Sequence, residues 1–116
     1  MIHLKLIINN TNFISQKDNY FFDKFELKMI LNLYAKMVSE GLWRDYSLNI
    51  SKKSVSFNVY KRTSENAAYR ICKNFRSNNN DPKFFISDSQ GNILKMSNDL
   101  KILLKKARWN NLRLVN

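Results

Sequence analysis

One cysteine, one histidine, one proline and two glycines are all that the 116 residues hold of these four types. Each scarcity excludes something. Cys72 has no partner for an internal disulfide. His3, at the beginning of the chain, is the only imidazole, which argues against a Ser–His or Cys–His mechanism, because a general base must be held within reach of its nucleophile. Metal sites need clustered His, Cys or carboxylates, and one His with one Cys does not supply them. Two glycines leave no room for a phosphate-cradling loop. The nine carboxylates show no close pair suited to acid–base work. The expectation is a protein that is not an enzyme, with no catalytic residue, cofactor or metal. The apolar runs are too short to span a bilayer. The start Met1-Ile-His-Leu-Lys-Leu-Ile-Ile lacks the basic opening and small-residue cleavage site of an export signal. With a single cysteine, this points to a reducing, cytoplasmic setting.

What is present suits one packed domain. Hydrophobic residues make up 44% of the chain, and eight Phe, five Tyr and two Trp supply large buried area. The formal charge is +11 and unevenly spread. Residues 1–50 hold six Lys/Arg against five Asp/Glu, while residues 51–116 hold fourteen against four. Such an imbalance suits an acidic partner: nucleic acid, an anionic membrane surface or an acidic protein face. It is equally the surface composition that an AT-rich genome encodes, since fourteen of the twenty basic residues are Lys.

Residues 1–8 alternate loosely and read as an edge strand, and 9–20 as a polar loop, so that 1–21 form an N-terminal strand or tether. Asp23 followed by Glu26 is a capping-box spacing. Leu27, Ile30, Leu31, Tyr34, Met37 and Val38 then recur at helical spacing, with Phe25, Met29 and Leu33 widening the apolar face, and Gly41 suits the left-handed stop. Tyr46-Leu48-Ile50, Val55-Phe57-Val59 and Tyr69-Ile71 alternate with polar residues, the pattern of an antiparallel meander solvated on one side. Phe84-Phe85-Ile86 and Ile93-Leu94-Lys95 flank a turn with Gly91 at positive φ. Ser97 suits the N-cap of a last helix over 98–109, with Leu100, Leu103, Leu104 and Ala107 as its buried stripe. The predicted fold is α+β: an antiparallel sheet of four or five strands with an N-terminal and a C-terminal helix on one face. The domain spans 22–109, with a tail at 110–116.

Phe22-Asp23, Glu26-Leu27, Tyr34, Met37-Val38 and Gly41-Leu-Trp43-Arg44-Asp45-Tyr46 resemble motifs of a small alphaproteobacterial domain-of-unknown-function family, DUF2794. Phe57-x-Val59-x-Lys61-Arg62-x-Ser64-Glu65, Tyr69-Arg70-Ile71 and Gly91-x-Ile93-Leu94-Lys95 follow in that family's order. The resemblance runs over roughly residues 22–105. It implies a bacterial cytoplasmic origin and supplies no activity. The Asn-rich loops and the apolar N-terminal stretch depart from the family pattern.

Two functional readings remain. In the first, outward Arg44, Tyr60, Lys61, Arg62, Arg70, Lys101 and Lys105 contact an anionic partner, RNA or DNA foremost. Tyr60 would be a stacking platform and the arginines phosphate anchors. In the second, Phe25, Met29 and Leu33 on the first helix dock the chain onto a larger protein complex. Trp43 reads either as a plug between helix and strand or as an exposed partner for a base beside Arg44. Cys72 reads as a small structural residue rather than a reactive thiol.

Overall fold

A computed structural model describes residues 20–62, 66–75, 82–107 and 109. The expected edge strand at 1–8, His3, Glu65 and the tail from 110 lie outside the described residues. The elements run α1 (Lys24–Ser39), β1 (Asp45–Ile50), β2 (Ser54–Tyr60), β3 (Tyr69–Asn74), β4 (Phe84–Asp88), β5 (Ile93–Ser97) and α2 (Leu100–Lys106). The five strands pair antiparallel in sequence order, a plain meander. One helix precedes the sheet and one follows it, as the alternating and helical spacings predict.

Helix α1 begins at a closed capping box. Asp23 Oδ1 accepts the Glu26 amide at 2.8 Å and Glu26 Oε1 accepts the Asp23 amide at 2.8 Å. It ends in a Schellman turn: Leu42 N–H donates to Met37 O and Gly41 N–H to Val38 O, with Gly41 at φ 76°. A Cβ at that φ is strained, so the glycine stops the helix and sends Trp43 back under it.

Alternation sorts each strand into two faces. Tyr46, Val55, Phe57, Val59, Tyr69, Ile71, Phe84 and Ile86 form one core with Leu27, Ile30, Tyr34 and Met37 of α1 and Leu100 and Leu103 of α2. Both helices therefore lie on the same face. Tyr46 stacks on Phe57 at 4.7 Å, and Tyr34 meets both rings edge-on.

Two local expectations are corrected. The N-cap of α2 is Asp99, whose Oδ1 accepts the Ile102 amide at 3.2 Å. Ser97 stays in β5, paired with Phe84, so the helix starts later and is shorter than 98–109. The broad face of α1 is also narrower than its spacing suggests. Met29 and Leu33 are half-buried against the core, but Phe25 is 79% exposed because it sits in the first turn, off the stripe that meets the sheet. The core also holds a lysine: Lys73 occupies a core-facing position of β3. Its Nζ donates to Glu26 Oε1 at 2.7 Å and to Phe21 O at 2.8 Å, all of it buried.

The two helices run in the same direction across the sheet. The start of α1 is tied to Lys73 near the end of β3, and α2 leaves β5 beside the same end. The far end gathers Trp43, after α1, and Trp109, after α2, with ring centroids 5.2 Å apart. These two ends of the sheet, the Lys73 end and the Trp43 end, organise the surface.

Candidate nucleic-acid interface

The expected cationic residues fall in three places. Arg44, Lys61 and Arg62 meet at the Trp43 end, because β1 and β2 are paired there: Arg44 N–H donates to Tyr60 O at 2.7 Å. Beneath them Trp43, Tyr69 and Trp109 are nearly fully buried, and Lys61 Nζ lies 5.6 Å from the Tyr69 ring centroid. Trp43 is thus a plug, 3% exposed, and offers no face to a base.

Tyr60 and Arg70 lie on the sheet face turned away from the helices. They are offset rather than opposite: Arg70 pairs with Asn58, whereas Tyr60 pairs with Asp45. Tyr60 Oη is 2.9 Å from Ser47 Oγ, which accepts from Asn58 Nδ2 at 3.2 Å, and Asn58 Oδ1 accepts from Ser56 Oγ at 3.0 Å. This chain of polar groups holds the Tyr60 ring in place. Phe85 joins the same face through its pairing with Cys72. That second aromatic was hidden in the sequence by the Phe84-Phe85 pair, in which only the register decides which ring turns inward.

Lys101 and Lys105 occupy the third place, one turn apart on the exposed side of α2. The expected protein-docking stripe reduces to Phe25 with half-buried Met29 and Leu33.

Burial governs the titrating groups. Desolvation, slightly offset by Arg70, pushes the Cys72 thiol up to about 11, so it stays protonated at neutral pH. Desolvation first, then Tyr34 and Asp45, push the Tyr46 hydroxyl to about 12. Asp88 feels some desolvation, but the amides of Asn92 and Gln90 outweigh it and hold the carboxyl below its ordinary value. Among the described residues no group of three His, Cys, Asp or Glu could hold a metal ion, and no helix is long and apolar enough to cross a membrane.

Residues 20–104 match the family described as a protein of unknown function, DUF2794. The chain belongs to this family. No curated protein and no solved structure matches it. The DUF2794 match begins at Tyr20 and closes within α2, so it takes in the whole meander, the capping box and the Lys73 clasp.

Sequence reasoning passed over the Lys73 end. Lys52 and Lys53 lie between β1 and β2, and Lys83 just ahead of β4. Nothing in their spacing says that β2, β3 and β4 bring them to one edge.

Proposed function

We propose that this DUF2794 chain is a non-enzymatic binding module that engages an anionic partner, nucleic acid foremost. The observation that supports it is the unequal use of the two charges. Among the described acids, Asp23 and Asp99 cap the helices, Glu26 is buried against Lys73, and Asp88 accepts the amides of its own turn. Asp45 accepts the Tyr46 amide and Glu40 is exposed, so one outward acid outside these roles faces a larger set of outward cations: Lys24, Lys28, Lys36, Arg44, Lys52, Lys53, Lys95, Lys101, Lys105 and Lys106. A field of outward cations attracts a polyanion, and phosphate contacts give affinity with little sequence specificity.

The test is binding to short RNA and DNA across a salt series. Affinity should fall steeply with salt as condensed counterions are released. Arg62→Glu and Arg70→Glu should each weaken binding by ~1–3 kcal/mol. Lys17→Glu, an equal charge change in the N-terminal segment, should do less. Equal losses from all three would leave only global charge, and absence of binding at low salt would end the reading.

A second reading, a subunit docking on a protein complex through α1, draws on the 79% exposure of Phe25. Its footing is narrower, because Met29 and Leu33 are packed against the chain's own core.

A further inference from the structure

Several backbone bonds draw lysines from distant parts of the chain to the Lys73 end. Phe75 N–H donates to Lys53 O at 2.9 Å, and Asn74 N–H donates to Lys83 O at 2.8 Å. Lys83 N–H in turn donates to Asn98 Oδ1 at 2.9 Å, beside the cap of α2. The β1–β2 turn, the end of β3, the start of β4 and the start of α2 are therefore stitched into one rim. Lys52, Lys53 and Lys101 are exposed on it and Lys83 is half-buried.

Helix α1 adds to this rim. Lys73 bonds both Phe21 O and Glu26, which fixes the first turn of α1 beside the end of β3. Side chains of a helix tilt toward its N-terminus, so Lys24, Phe25 and Lys28 lean toward the rim. Phe25, 79% exposed, thus stands beside two exposed lysines. A second ring lies nearby: Tyr20 is 43% exposed and sits edge-on to Phe75 at 5.8 Å. The described acids here, Asp23, Glu26 and Asp99, are all engaged in caps or the buried clasp. Among the described residues, cations thus stand beside exposed aromatic rings at this end. At the Trp43 end, Trp43, Tyr69 and Trp109 are buried and Tyr60 is half-buried.

We infer that the Lys73 end is a single-stranded nucleic-acid surface, with Phe25 and Tyr20 stacking on unpaired bases and Lys24, Lys28, Lys52, Lys53 and Lys83 contacting phosphates. A duplex keeps its bases stacked on one another and has no use for an exposed Phe, whereas single strands gain from aromatic platforms alongside cations. Lysines act as point charges without bidentate geometry, which suits backbone contacts over base reading. This inference rests on the anionic-partner reading above and adds to it a strand state and a contact surface separate from Arg62 and Arg70.

The experiment titrates the full chain with fluorescent single-stranded RNA and DNA of about twelve nucleotides, a length within the usual site size. Duplexes of the same length and vesicles containing an anionic phospholipid are the other arms. Single strands should bind more tightly than duplexes. Phe25→Ala should weaken single-strand binding by roughly tenfold with little effect on the duplex. Lys52→Glu with Lys53→Glu should weaken it at least as much and make the log–log salt slope shallower by about 1.4. Lys36→Glu with Lys95→Glu, an equal charge change away from the rim, should do much less. Circular dichroism checks that each variant is folded.

If single strands bind but Phe25→Ala changes nothing, or the two lysine pairs lose equally, the rim is not the surface, while the anionic-partner reading survives. Equal affinity for duplexes overturns the single-strand assignment. Binding of vesicles and of no oligonucleotide overturns it in favour of a membrane surface. No binding of any polyanion at low salt overturns both the inference and the reading beneath it.

Discussion

The two ends of the sheet carry their cations on different foundations. At the Trp43 end, Arg44, Lys61 and Arg62 stand over Trp43, Tyr69 and Trp109, which close the core like a stopper. At the Lys73 end the core is closed by a charged clasp, Lys73–Glu26, and the rings of Phe25 and Tyr20 are left outside. A packed aromatic end has its rings committed to stability. An end closed by an ion pair keeps aromatic surface available for a partner, at the cost of burying two charges.

The largest expected effect tests the stopper. Trp43→Ala removes a 3%-exposed indole that touches Trp109 and Tyr34, and should cost about 4 kcal/mol in urea unfolding. A loss below about 1 kcal/mol would mean that this end is not a packed closure.

Next comes the clasp. Lys73→Met strands the Glu26 carboxylate in the core and should cost about 3 kcal/mol. Adding Glu26→Gln removes the stranded charge and keeps a side chain able to complete the capping box, so the double variant should regain most of the loss. Simple additivity of the two substitutions would show that the pair is not coupled, and the contrast between the ends would collapse.

The smallest effect sharpens the comparison from its midpoint. Cys72 lies on the central strand and its thiol is raised by burial from 9.0 to about 11. A raised pKa favours the protonated form on folding. Its contribution to stability is therefore full below pH 9 and lost as pH climbs toward 11. The stability difference between the wild type and Cys72→Ala should shift by about 1–2 kcal/mol across that window, against the wild type at high pH. Alkylation of native protein at pH 8 should be slow. Rapid labelling would show the centre of the sheet to be open where both ends are closed.

These contrasts also mark what reading the residues could reach. The capping box at Asp23 and Glu26 and the stops at Gly41 and Gly91 involve neighbours three or four positions apart, and local geometry decides them. Strand alternation and the order helix, meander, helix were likewise legible, because each strand pairs with the next in sequence. The cap of α2 was missed by two residues. Ser97 and Asp99 are equally good caps, and only the pairing of Ser97 with Phe84 keeps the former in the sheet.

Composition and periodicity by themselves determined a basic α+β fold with an antiparallel sheet, and the side of β1, β2 and β3 that meets the core. Tertiary structure alone decided that a lysine would fill a core position, since Lys73 is tolerable there only because α1 delivers Glu26 and Phe21 O to it. It likewise decided that Phe25 would stay outside and that Lys52, Lys53 and Lys83 would share a rim. Side-chain spacing along the chain carries the period of an element, but the gathering of charges from separate elements depends on strand register and helix direction, which arise only when the sheet and helices pack.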